Sequence, residues 1–163
     1  MKSQQSWDNF FMKFAYQCAE LSYDPHTKVG CVITSGDQIL SYSYNGTPRG
    51  YNNTCKDADG KTKREVVHAE IFALGKLARS TVSADRATLY CTLAPCIECA
   101  KLIIASGIRR VVYDTPYKDI SGIKLMMNAG GVSVFQLNSP YKDEHSLYAD
   151  PEWLKKTGIP DEL

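Results

Sequence analysis

The sequence has little net charge: 19 Lys and Arg face 18 Asp and Glu, leaving +1 with neutral histidines. That balance argues against a chain whose main ligand is nucleic acid, because no global basic excess exists to displace phosphate counterions. It also argues against intrinsic disorder, which combines high net charge with low hydrophobicity; here 44% of residues are hydrophobic. No run of about 18 apolar residues occurs, so no membrane-spanning helix and no membrane partner is predicted. The start, Met1-Lys2-Ser3-Gln4-Gln5, lacks the apolar stretch of a secretory signal, and a cytoplasmic location is expected. Internal repeats and low-complexity tracts are absent as well.

What is present fits one domain. The chain has 163 residues, close to the usual domain size of about 150. Six cysteines without a secretion signal suggest thiols and metal ligands rather than a disulfide framework. Trp7, Phe10, Phe11, Phe14, Cys18 and Leu21 recur at helical spacing and predict an amphipathic helix over 6–21, broken by Asp24-Pro25. Residues 29–34 and 38–44 read as a strand pair around the turn Ser35-Gly36-Asp37. The polar stretch 46–63 reads as a long loop, a kind that is usually functional or mobile. A buried helix is predicted over 65–79, from Val66, Val67, Ala69, Ile71, Phe72, Leu74 and Leu77.

The pattern then alternates. Strands are predicted at 87–92, 109–113 and 132–137. Helices are predicted at 97–106, stopped by Gly107, and at 121–128, stopped by Gly130-Gly131. Pro151-Glu152-Trp153-Leu154-Lys155 could begin a short terminal helix. This order predicts a three-layer α/β domain with a mixed sheet: an antiparallel hairpin, then parallel strands joined by crossover helices.

Chemistry concentrates at two helix starts. One carries His68-Ala69-Glu70, the other Pro95-Cys96-Ile97-Glu98-Cys99. Cysteines three apart on a first helical turn face one point, and a helix N-terminus favours thiolate. Two thiolates and an imidazole suit zinc. Three protein ligands leave the fourth position to water, the catalytic pattern, whereas structural sites use four. Cys55, in the long loop, stays open as a fourth ligand or a ligand to a second metal. Cys91 is a second candidate, although its strand alternation suggests core packing. Cys18 and Cys31 read as small core residues. One geometric obstacle stands: on a regular helix His68 and Glu70 point about 200° apart, so His68 must sit at an irregular helix start.

His-Ala-Glu followed by Pro-Cys-x-x-Cys resembles the zinc-dependent cytidine and deoxycytidylate deaminase superfamily. Neighbouring blocks resemble its deoxycytidylate (dCMP) deaminases in particular. Asp24-Pro25-His26-Thr27-Lys28-Val29-Gly30-Cys31 resembles their loop and first strand. Tyr44-Asn45-Gly46-Thr47-Pro48-Arg49-Gly50 resembles their Gly-Tyr-Asn-Gly-x-Pro-x-Gly stretch, with Ser43 in place of the first Gly. Residues 96–108 are similar to their second zinc helix. The resemblance covers roughly 7–137, with 138–163 as a C-terminal extension of a single domain, and the compact chain suits a virus-encoded member, working in the host cytoplasm.

The resemblance implies a cytidine deaminase-like α/β/α fold with a five-stranded sheet. It implies one catalytic Zn2+ on His68, Cys96 and Cys99, with Glu70 as general base and then acid in converting dCMP to dUMP and ammonia. Ala69 and Pro95 are expected to grip the pyrimidine edge, Asn45 the sugar hydroxyl and Tyr117 the base, with Thr27 and Lys28 on the phosphate side. It further implies a hexamer, activated by dCTP and inhibited by dTTP with Mg2+, at an effector site around Ser43, Tyr44, Asn45, Gly46 and Arg49. Ser43 is expected to weaken or reshape effector binding if glycine is needed there. Competing readings are a tRNA adenosine deaminase, which should be more basic, and a nucleoside cytidine deaminase, which typically has Cys in place of His68. A zinc-stabilised binding module would need a closed four-ligand site.

Overall fold

A computed structural model of the chain describes residues 2–129 and 131–139. The element order is α1 (Gln4–Glu20), β1 (Gly30–Ser35), β2 (Gln38–Tyr44), α2 (Ala69–Ala78), β3 (Thr88–Leu93), α3 (Ile97–Ala105), β4 (Arg110–Thr115), α4 (Ser121–Asn128) and β5 (Ser133–Gln136). Five strands form one sheet in the order β2-β1-β3-β4-β5. β1 pairs antiparallel with both β2 and β3, while β3, β4 and β5 run parallel. The mixed sheet is therefore as expected, with β1 as the strand where direction reverses. The short terminal helix expected from Pro151, and the extension after Ser139, lie outside the described residues.

Period-two alternation divides the core between the two faces of the sheet. Cys31, Ile33, Leu89, Cys91, Val111 and Tyr113 face one way and pack with α2, α3 and α4. Val32, Tyr90 and Val112 face the other way and pack with Phe11, Met12, Ala15 and Tyr16 of α1. Each fully buried aliphatic side chain here, such as Ile33 or Ile103, contributes about 1.5–3 kcal/mol. Both crossovers, β3-α3-β4 and β4-α4-β5, step in the same direction along the sheet, so α3 and α4 share a face. Gly107 follows α3 at φ +79°, in the left-handed region expected of a helix stop.

Two polar anchors tie the layers together. Asp8 on α1 is buried and takes a bidentate pair from Arg110 of β4, at 2.8 and 2.7 Å, plus the Tyr90 hydroxyl at 2.8 Å. Asp114 at the end of β4 accepts from the Tyr16 hydroxyl at 2.8 Å and the Ser139 amide at 2.7 Å. Among the described residues no helix is long and apolar enough to cross a membrane.

The largest departure from the sequence expectation is the start of α2. The helix begins at Ala69, not near residue 65. Val67 instead forms a two-bond bridge with Gly46, its amide donating to Gly46 O at 2.8 Å and its carbonyl accepting from Gly46 N at 3.1 Å. The apolar Val66 and Val67 thus belong to the incoming segment, and a hydrophobic run alone cannot show that boundary.

Candidate active site

His68 and Cys96 are both helix N-caps. His68 has φ −69°, ψ 152° and Cys96 has φ −71°, ψ 172°, extended backbone in each case. Their carbonyls still accept the first helical bonds, from Phe72 and Ala100. Neither side chain caps its own helix, although N-caps favour Ser, Thr, Asp or Asn for that purpose. Both are turned to a common point instead. His68 Nδ1 lies 3.3 Å from Cys99 Sγ and 3.5 Å from Cys96 Sγ. The three donor atoms all fall within 4.8 Å of one another. A tetrahedral zinc with Zn–N near 2.1 Å and Zn–S near 2.3 Å separates N from S by about 3.6 Å. The spacing and the donor chemistry fit that ion. Extended backbone at His68 also removes the 200° obstacle, because residues 68 and 70 are not on one regular helix.

The electrostatics suit a metal-binding thiolate. Hydrogen bonding from Cys99, with a second contribution from His68, pulls the Cys96 thiol down to about 3 against the opposing effect of burial. The same sharing pushes Cys99 up. One thiolate beside a protonated neighbour is what two adjacent thiols hold before a cation takes the proton's place. The hydrogen bond with Cys96 likewise raises His68. Glu70 is only 4% exposed; burial pushes its carboxyl up, partly offset by its backbone hydrogen bond and by His68. A buried carboxyl raised by desolvation holds a proton more readily than a surface one, as a proton-exchanging group requires.

The remaining expected residues fall in three places. Ala69 and Pro95 are buried beside the ligands, at the two helix starts. Tyr117 is half-buried after β4, and burial, with Cys96 nearby, pushes its hydroxyl up. Asn45 ties down the backbone on either side of Lys28: its Oδ1 accepts from Val29 N and its Nδ2 donates to Thr27 O, each at 2.8 Å, while Lys28 Nζ donates to Glu20 O at 3.4 Å. One amide proton and one lone pair of Asn45 remain for a ligand. Of the expected effector residues, Ser43, Asn45 and Gly46 are buried, Tyr44 is half-buried, and Arg49 is exposed.

Cys55 and Cys91 stand apart from the three donors. Cys91 sits opposite Cys31 in the β1–β3 pairing, buried in the core with it. Cys55 is buried in the long loop, 3.8 Å from Asn53 O. Among the described residues His68, Cys96 and Cys99 are the one group of metal-ligating side chains so placed.

Sequence reasoning overlooked three residues that shape the site. Asp24 is more than a helix breaker: its Oδ1 accepts from His26 N and Thr27 N, and Oδ2 pairs with Lys56 at 3.0 Å. The Asp-Pro pair was a signal for that turn. Gly122 of α4 lies against the zinc loop; a Cβ there would meet Pro95 O at 2.3 Å and the Cys96 carbonyl carbon at 2.7 Å. Ser41 completes the set, with no local signal beyond its alternation with Ser43.

Fold and donor set together define the class: an α/β protein built to hold one zinc ion between two helix N-termini. The family profile for the cytidine and deoxycytidylate deaminase zinc-binding region matches residues 5–115, and the chain belongs to that family. A deoxycytidylate deaminase of Saccharomyces cerevisiae is 38% identical over 135 residues, covering 77% of this chain and 43% of the yeast protein. The chain thus spans less than half the length of that relative. A deoxycytidylate deaminase of Mycobacterium phage D29 is 36% identical over 125 residues, covering 68% of this chain and 96% of its own. The crystal structure of the cyanophage S-TIM5 dCMP deaminase with dCMP and dUMP superposes with TM-score 0.77 at 36% identity, covering 82% of this chain and 97% of that one.

Proposed function

We propose that the protein hydrolyses dCMP to dUMP and ammonia. The observation that carries this reading is the meeting of His68 Nδ1 with the Cys96 and Cys99 sulfurs beside the buried carboxyl of Glu70. The dCMP deaminases among its relatives supply the substrate. His68, Cys96 and Cys99 would hold zinc, whose Lewis acidity makes water nucleophilic near neutral pH. Glu70 takes a proton from the attacking water and delivers it to ring N3 as the oxygen adds to C4. Glu70 then takes the remaining proton from the hydroxyl now on C4 and passes it to the exocyclic nitrogen; the C4–N bond breaks as the C4=O double bond forms, and ammonia leaves. Water supplies the oxygen of dUMP, so atoms and charge balance.

In the proposed reaction the remaining residues take these roles. The backbone at Ala69 and Pro95 reads the pyrimidine edge, Tyr117 packs on the base, and the spare capacity of Asn45 takes the sugar hydroxyl. Thr27, whose carbonyl Asn45 holds, and its neighbour Lys28 serve the phosphate side. Regulation by dCTP and dTTP with Mg2+ enters through Tyr44, Asn45, Gly46 and Arg49, in a homo-hexamer. The Gly46–Val67 bridge supports it by joining that block to His68 through one residue. The test is ammonia release from dCMP by the zinc-loaded protein, with and without dCTP and Mg2+. Turnover rising with dCTP is the expected result. No turnover with one zinc bound per chain would overturn the substrate assignment, and turnover indifferent to dCTP and dTTP would remove the regulation.

A further inference from the structure

Ser41 and Ser43 stand two residues apart on β2, so their side chains leave the same face of the strand. Both are buried, at 6% and 2% exposure. Each hydroxyl bonds to a backbone carbonyl of α2. Ser43 Oγ donates to Ala69 O at 2.5 Å, and Ser41 Oγ donates to Ala73 O at 2.9 Å. Ala69 and Ala73 are four apart in α2, so their carbonyls lie one above the other on one side of the helix. The spacings agree: two strand residues advance about 6.6–6.8 Å and four helix residues about 6 Å. Each carbonyl has a second lone pair beyond its helical bond, so the serines bond to α2 without breaking its ladder. Lys76 Nζ donates to Tyr42 O from further along the helix, and the Gly46–Val67 bridge precedes it.

We propose that Ser43, with Ser41 behind it, is a positioning residue: the pair keys α2 to β2 and so fixes where His68 and Glu70 stand. Ala69, which Ser43 grips, is the residue between them. Apolar packing against β2 holds α2 down but is non-directional; two hydrogen bonds in matched spacing set its height along the strand. An axial slip of α2 would carry His68 and Glu70 away from Cys96 and Cys99, which ride on α3. Glycine at position 43 could make no such bond. The inference rests on the zinc-deaminase reading above and gives Ser43 a role at the metal centre instead of at an effector.

The test compares Ser43→Ala and Ser41→Ala with the parent protein. Zinc affinity and the ligand-field spectrum of the Co2+-substituted form report the donor geometry without dCMP. Expected for Ser43→Ala are one zinc per chain, about tenfold weaker zinc binding, an altered Co2+ spectrum, and faster amide exchange in the first turn of α2. On dCMP, kcat should fall about tenfold while KM changes less than twofold, with the dCTP response retained. Ser41→Ala, one helical turn further from the ligands, should shift the same readouts less, and it decides the matter if Ser43→Ala does not fold. Unchanged zinc affinity and Co2+ spectrum in the folded variant overturn the proposal, as does a change confined to the dCTP response. If the parent protein does not turn over dCMP, the function fails while the metal readouts still judge Ser43.

Discussion

Among the described residues Glu70 is the carboxyl buried beside His68, Cys96 and Cys99, and the proposed proton-transfer and metal-binding roles can be separated by substitution. Glu70→Gln preserves shape and leaves His68, Cys96 and Cys99 in place, so zinc content should stay at one per chain. Proton transfer is lost, and kcat on dCMP should drop about 10²–10⁴-fold; metal analysis beside an ammonia assay checks both halves. Cys99→Ser acts on the other side of the division. It replaces a soft donor with a hydroxyl, and zinc itself should be lost on dialysis, taking activity with it. A Glu70→Gln protein that bound no zinc would show the carboxyl to be part of the metal site.

Elements, not residues, decide where a substitution in a helix stabilises. Two helical glycines have opposite surroundings. Gly75 in α2 is exposed, and a Cβ there meets nothing within 4 Å. Gly75→Ala should raise stability by about 1 kcal/mol, the difference in helix propensity. Gly122 in α4 gains the same propensity from alanine, yet its Cβ would sit 2.3–2.8 Å from the Pro95–Cys96 backbone. Backbone cannot swing aside as a side chain does, so the clash outweighs the propensity. Gly122→Ala should lower the melting temperature and weaken zinc binding together, because relief of the contact moves Cys96. Denaturant unfolding and zinc titration of both variants settle the contrast.

At the scale of the molecule, stability and activity have separate sources. The core is built on both faces of the sheet: one cluster takes in Cys99, with Cys96 packed against it, while the other, around α1, contains none of the three donors. Chelation should therefore abolish activity while leaving the far-ultraviolet circular dichroism close to native, unlike a module that folds only on its metal. The Asp8–Tyr90–Arg110 knot joins α1 to the far face of β3 and β4. Burial works to raise the Asp8 pKa, but its bonds with Arg110, Gln4 and Tyr90 win and lower it. A depressed carboxyl stabilises the fold above its unfolded pKa of about 3.9. That contribution should fade as pH falls below about 4 and through the lowered folded value. Asp8→Asn should cost about 3 kcal/mol by leaving Arg110 uncompensated, and its stability should then lack this acid-limb component; urea unfolding from pH 3 to 7 reads both.

The sequence by itself determined the donor set and most of the frame. Ser121–Asn128 and Gln38–Tyr44 emerge where periodicity and turn residues place them, because helix and strand spacing are local properties. His-x-Glu and Pro-Cys-x-x-Cys name the chemistry for the same reason: each is carried by a few adjacent residues. What only the tertiary structure decided is how those pieces meet. The start of α2 slid from 65 to 69 because Val67 found a partner in Gly46, across the long loop. That bridge delivers His68 as an extended N-cap, and so brings Nδ1 to sulfurs 28 and 31 residues away in the chain. The approach of Gly122 to Pro95 and the grip of Ser43 on Ala69 are equally invisible in the sequence. Both depend on which element lies across which, and contacts between distant segments are fixed by packing rather than by any local preference.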